Sequence, residues 1–198
     1  NVVIPCFTPG SIAETMHGPV AVEKLAVGDL VMTRDNGVQP IRWIGHKHLP
    51  VATLISNPRL RPILIRQDGL APSVPNRDMV ISPQHRLMIE NQAAELWLGE
   101  REILVKARHL THRPGIDTIT PKEGVTYIHL LFDRHEIIRV DETWTESFQP
   151  GDMVENDDEK EIFAELLELF PDFARREGRK AFASARPTAK HHEAVLIL

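Results

Sequence analysis

The chain of 198 residues is poor in cysteine, with Cys6 alone, so an internal disulfide is excluded and the fold must stand on its apolar core. It holds no apolar run near the ~18 residues a bilayer demands, which excludes a membrane-spanning helix. It also lacks a dense block of Lys and Arg. With 23 basic against 28 acidic side chains the formal charge is −5, which does not favour a nucleic-acid partner. No initiator Met is present, and Asn1 to Pro5 has neither the charged start nor the long apolar centre of a signal peptide. Residue 1 is therefore read as an arbitrary or processed start within a longer polypeptide.

What the chain does contain is the ordinary balance of a globular protein, 42% hydrophobic and 26% charged. Up to about Pro150 the pattern is that of a mainly β protein. Short apolar runs recur at Leu30–Thr33, Ile41–Ile44, Ile63–Ile65, Met79–Ile81, Arg86–Ile89, Tyr127–Phe132 and Glu136–Val140. Turn formers separate them, among them Asp35-Asn36-Gly37, Gly45, Asn57-Pro58, Asp68-Gly69 and Pro121. Asn-Gly supplies the positive φ of a tight hairpin, so Leu30–Thr33 is expected to pair with Gln39–Ile44. Many short strands at such spacing imply a sandwich or barrel-like body. Glu102 to Leu110 is compatible with a strand running into a helical turn.

Beyond Gly151 the spacing changes. Ile162, Phe163, Leu166, Leu167 and Phe170 fall on one helical face, with Asp157, Asp158 and Glu159 as a start signal and Pro171 as a stop. Residues 151–198 carry 7 basic and 11 acidic side chains, an acidic helical extension on a near-neutral body. Val195-Leu196-Ile197-Leu198 reads as an added strand or plug.

A lone thiol is most often a small buried hydrophobe. The context of Cys6 argues for more. It opens CFTPGSIAETMHGPVAVEKLAVGDLVMTRDNG, with Leu25, Gly28, Asp29 and Val31 as a Leu-x-x-Gly-Asp-x-Val run; later come MVISPQHRLMI, with Ser82 and His85, and TYIHLLFDRHEIIRV, with His129, Asp133 and His135. In this order the segments resemble the Hint domain, the self-processing module of hedgehog proteins and inteins, and in particular its bacterial intein-like branch. The resemblance covers roughly residues 6–150. It implies an all-β, horseshoe-like fold, with residues 1–5 as an upstream stub and residues 151–198 as an extension.

The resemblance implies that Cys6 attacks the carbonyl of Pro5, converting the Pro5–Cys6 amide to a thioester. His85, in the family's Thr-x-x-His position, would protonate the departing nitrogen, a task suited to an imidazole. Ser82 stands where the family usually has Thr and would orient the amide or His85; it lacks the β-branch that fixes χ1. His129, Asp133 or His135 would deprotonate Cys6 or activate the attacker. Alternation from Tyr127 puts His129 on one face with Tyr127 and Leu131, and Ile128, Leu130 and Phe132 on the other. Arg77-Asp78 reads as a structural ion pair.

A splicing intein ends in His-Asn before a Cys, Ser or Thr. Neither Val140–Phe148 nor the stretch after His191-His192 has that ending, so cleavage without splicing is expected. The substrate is then the chain's own upstream polypeptide, and water or another nucleophile, such as an amine or hydroxyl, accepts the acyl group. No cofactor or metal is implied. The upstream Pro5, with its restricted backbone and hindered carbonyl, predicts slow or triggered cleavage. A bacterial, secreted parent protein fits this reading. Two alternatives remain open at this point, an inactive Hint fold serving as an interaction domain and a metal-binding hydrolase prompted by ten His residues. Against the latter, no His-Glu-x-x-His or paired-Cys spacing occurs.

Overall fold

The computed structural model describes residues 5–150 and 182–198. The helix expected over Ile162 to Phe170 lies outside the described residues. Thirteen short strands carry the body: β1 Ile12–Thr15, β2 Gly18–Ala21, β3 Leu30–Met32, β4 Val38–Pro40, β5 Trp43–Leu49, β6 Ile63–Ile65, β7 Met79–Ile81, β8 Arg86–Glu90, β9 Glu102–Lys106, β10 Ile116–Thr118, β11 Val125–Leu131, β12 Ile137–Val140 and β13 Thr143–Glu146. Three short helices join them: α1 Val51–Ser56, α2 Gln92–Leu98 and α3 His191–Ile197. The protein is mainly β, as its sequence implies. No helix among the described residues is long and apolar enough to cross a membrane.

The largest sheet runs β4-β3-β1-β12-β13-β8-β9, with β2 beside β1; β10-β6-β7 form a second sheet and β11-β5 a third. The Asp35-Asn36-Gly37 turn closes the β3–β4 hairpin, with Gly37 at φ +65° and its carbonyl bonded to the Thr33 amide. The expected partner strand is nevertheless split. β4 ends at Pro40, whose ring offers no N–H to a ladder, and Trp43–Ile44 belong to β5. Gly45 accordingly lies inside β5 and is not a turn residue. Glu102–Leu110 resolves into β9 followed by a 3₁₀ turn at Ala107–His109.

β5 and β11 pair without interruption from Val125↔Leu49 to Leu131↔Trp43. Because no bulge breaks β11, side chains alternate through it. Ile128, Leu130 and Phe132 enter the large core, whereas Tyr127 and Leu131 join a smaller cluster with Cys6, Trp43, Leu54, Val125 and Phe148. The boundary between these two clusters is where the site forms.

Beyond the body, Phe182 to Lys190 form a strap along β9. The Leu104 amide donates to Pro187 O, and the Ala189 amide donates to Leu104 O, both at 2.8 Å. Arg186 fastens the strap to Asp35 and Glu102. Val195–Leu198, expected as a strand or plug, is instead largely within α3, opened by a Glu193 carboxylate that accepts from the Lys190 amide at 2.7 Å. Ala194 and Ile197, three apart, are buried, while Val195 and Leu196 point outward, the division a helix makes and a strand does not.

Candidate active site

Residues Cys6 to Thr8 are threaded between β7 and β11. The amides of Phe7 and Ile128 each donate to the other's carbonyl at 2.9 Å, and the Thr8 hydroxyl donates to Val80 O at 2.8 Å. Extended backbone alternates its side chains, so Phe7 enters the large core and Cys6 turns to the opposite cluster. The threading sets Ser82, just past β7, on one flank of the Pro5–Cys6 bond and His129, on β11, on the other.

Ser82 grips Cys6 twice. Its Oγ accepts from the Cys6 amide at 3.0 Å, and its own amide donates to Cys6 O at 3.0 Å. The hydroxyl therefore holds the nitrogen of the peptide bond that would be cut. His129 engages the other end of that bond. Its Nδ1 lies 3.1 Å from Pro5 O and its Nε2 lies 3.7 Å from Cys6 Sγ. A carbonyl oxygen only accepts, so Nδ1 carries the proton and Nε2 presents its lone pair to the thiol. One neutral imidazole thus faces both the Cys6 thiol and the carbonyl oxygen of the peptide bond just before it.

The sequence builds this pocket with an unusual pair on β5. A Cβ on Gly45 would fall 2.1 Å from the Trp43 ring, so the absent side chain is what lets the indole lie across its own strand. Gly45 is also the cross-strand partner of His129. The indole consequently stacks on the His129 ring at 6.2 Å, and Phe148 meets that ring edge-on at 5.7 Å. Enclosure by these rings leaves Cys6 and His129 each 2% exposed. Burial pushes His129 down to about 4, the Pro5 carbonyl working against it and Lys47, His46 and His85 with it.

His85 approaches from the Ser82 side. Its amide donates to Ser82 O at 3.1 Å, closing a turn over Ser82-Pro83-Gln84-His85, and its ring packs edge-on against Phe7 at 4.5 Å. Its Nε2 lies 2.5 Å from Thr145 Oγ1. The Thr145 hydroxyl donates its one proton to Arg86 O at 3.0 Å, so it must accept from His85 Nε2–H. Nδ1 then bears the lone pair, buried and with no hydrogen-bond partner among the described residues. Burial again pushes the imidazole down to about 4; Glu146 and the Cys6 backbone oppose that, and Arg86 and His135 add to it.

Behind His85 lies a buried polar layer. Glu146, fully enclosed, accepts from the Arg86 amide and Arg86 Nε at 2.7 Å each and from His135 Nε2 at 3.1 Å. Burial alone would raise its carboxyl, but the bonds from His135 and Arg86 outweigh that and hold it below the usual carboxylate range.

Of the six residues singled out in the sequence, Cys6, Ser82 and His129 meet at the Pro5–Cys6 bond, with His85 packed behind the Ser82 turn. His135 sits one layer back, in contact with Glu146. Asp133 is not drawn in: it follows the end of β11, is 53% exposed, and both its oxygens accept from Arg42 in a surface ion pair. Arg77 and Asp78 do not pair with each other; Arg77 reaches Asp141 and Asp78 reaches Arg66. Thr145, Glu146, Arg86, Trp43 and Gly45 were not anticipated as site residues. A charged residue amid the Thr-x-Thr alternation of β13 was the available signal for Glu146. Among the described residues no group of three or more His, Cys, Asp or Glu side chains is disposed to hold a metal ion.

Residues 5–152 match the family model of the Hint domain. Among solved structures, a bacterial intein-like domain from Clostridium thermocellum is similar at 12% identity and a TM-score of 0.46, over 72% of this chain and 98% of that one. A DnaB intein from Synechocystis sp. PCC 6803 is similar at 12% identity and a TM-score of 0.42, over 72% of this chain and 98% of its own. No curated protein gives a significant match.

Proposed function

Because the chain belongs to the Hint domain family, a fold of self-processing domains, we propose that it cuts itself between Pro5 and Cys6 by an N-to-S acyl shift, without splicing. The observation that carries this reading is the single imidazole of His129, 3.7 Å from the thiol and 3.1 Å from the carbonyl oxygen of the same scissile bond.

In the proposed reaction the Cys6 thiol passes its proton to His129 Nε2 as Sγ bonds to the Pro5 carbonyl carbon. The C=O electron pair moves onto oxygen, where Nδ1–H is already a donor and gains strength as His129 becomes cationic. Collapse of the tetrahedral centre breaks the C–N bond. The departing Cys6 nitrogen takes a proton from the His85 imidazolium, so one positive charge passes from His85 to His129 and the atoms balance. Ser82 keeps that nitrogen in place until it leaves.

An amide is more stable than a thioester, so the shift runs uphill and needs a sink. Water or an amine or hydroxyl nucleophile then takes the acyl group. The apolar wall of Trp43, Leu54, Tyr127, Leu131 and Phe148 keeps bulk water from the thiol before that acceptor arrives. Splicing is set aside because residues 140–152, the end of the matched region, contain no His-Asn pair before a Cys, Ser or Thr.

The test fuses a reporter upstream of Asn1 and follows its release under excess small thiol. Release from the parent chain, none from Cys6→Ala, and release slowed about a hundredfold in His85→Ala are expected. A Cys6→Ala chain that still splits at the same bond would overturn the assignment.

A further inference from the structure

The strap over Phe182–Lys190 lies beyond the matched Hint region, yet it touches the polar layer behind His85 at two points. The Ala185 amide donates to His135 Nδ1 at 2.9 Å. That bond makes Nδ1 the lone-pair nitrogen and leaves Nε2–H to donate to Glu146. Three residues on, Thr188 Oγ1 accepts from Arg86 Nη1 at 2.9 Å. The strap's first residue is tied in as well, since Gln149 accepts from Arg86 Nη2 through its oxygen and donates to Phe182 O through its nitrogen.

From these anchors a set of hydrogen bonds, joined through the backbone of Arg86, leads to His85. Ala185 N–H meets His135, His135 meets Glu146, and Glu146 receives the Arg86 amide. The Arg86 carbonyl receives the Thr145 hydroxyl, and that hydroxyl receives His85 Nε2–H. Backbone N–H and C=O groups have fixed roles and Glu146 only accepts, so the orientations this set fixes are those of the rings: His135 accepts at Nδ1 and donates at Nε2, and His85 donates at Nε2. Arg86 is thus held by Glu146 at its amide and Nε and by Thr188 at Nη1, so the residue whose carbonyl receives Thr145, and with it the seat of the His85 ring, is anchored in part by the strap.

We propose that the strap is a positioning element of the self-cleavage site, with the Ala185 amide and the Thr188 hydroxyl setting the orientation of His85 through His135, Glu146, Arg86 and Thr145. This rests on the proposed acyl shift and adds to the machinery a segment the Hint match leaves out. Neither strap residue touches the scissile bond, so both act through others.

The experiment uses the full chain carrying the upstream reporter, with Thr188→Val, Thr188→Ser and Ala185→Pro. Valine keeps the shape of threonine and drops the acceptor; serine restores it; proline removes the amide proton. Release is expected to slow about fivefold in Thr188→Val and about tenfold in Ala185→Pro, with Thr188→Ser near the parent rate. Side-chain 15N spectra of His85 and His135 are recorded on the same proteins. They are expected to show altered imidazole signals in the two slow variants and parental signals in Thr188→Ser. Unchanged rates together with unchanged imidazole signals would overturn the proposal and make the strap a plain cover. If the parent chain releases no reporter, the acyl-shift reading fails by itself, and the 15N spectra still decide whether the strap sets His85.

Discussion

The two buried imidazoles of this site, His85 and His129, are equally hidden from solvent and both pushed down to about 4, yet their surroundings differ in kind. His129 sits in an apolar cage of Trp43 and Phe148, and both its nitrogens are directed at Pro5 and Cys6. His85 rests on a hydrogen-bonded layer of Thr145, Arg86, Glu146 and His135 that extends to the strap. The contrast teaches that burial alone does not assign a role. The cage turns both nitrogens of His129 to Cys6 and Pro5, as the base and oxyanion donor of the proposed shift must be. The polar layer gives His85 a nearby anion, Glu146, that favours the protonated form, the form in which the proposed shift uses it.

The largest expected effect strikes the caged side. His129→Gln can still donate an amide N–H toward Pro5 O but offers no basic nitrogen to the thiol. Thioester formation, measured by trapping with excess thiol, is expected to fall 10²- to 10⁴-fold. A loss under threefold would remove His129 as the base.

The pH profile separates the two sides. The proposed reaction needs neutral His129 and protonated His85, and burial pushes both down to about 4. At pH 7 His129 is already in its working form, whereas the protonated fraction of His85 falls tenfold for each unit above its midpoint. Thioester formation is therefore expected to quicken as the pH is lowered from 7 to 5, by up to about tenfold per unit. A rate that rises with pH over this interval would contradict the division of labour.

A smaller change tests the polar side. Thr145→Val removes the acceptor of His85 Nε2–H and the donor to Arg86 O. A stability loss of about 1–3 kcal/mol in urea unfolding and a roughly tenfold slower release are expected. The smallest rate effect belongs to Gly45→Ala, whose new methyl would meet the Trp43 ring and push it from its place against His129. A loss of about 1–3 kcal/mol and a several-fold slower release should follow.

How much of this was legible beforehand divides along the same line. Cys6, Ser82 and His85 sit in short local patterns, and a turn of four residues keeps Ser82 and His85 together whatever the rest of the chain does. His129 was placed correctly because strict alternation survives along an unbroken β11. Alternation could not extend past Phe132, where the chain leaves the strand, and Asp133 faces solvent in consequence. Thr145 and Glu146 reach His85 and Arg86 only through the β13–β8 pairing, across about 60 residues of sequence, with nothing local to announce it. The β1–β2 hairpin escaped notice for a related reason: Met16-His17 turns it without Asn or Gly at the two central positions. At the far end, Val195–Leu198 looked strand-like from its apolar run, and the Glu193 cap that starts α3 outweighed it.

The most direct measurement treats the parent chain with hydroxylamine and weighs the upstream fragment. A thioester at Cys6 predicts a fragment ending in a Pro5 hydroxamate, together with a downstream fragment that begins with a free Cys6 amine. An intact chain, or a fragment ending at any other residue, would contradict the account.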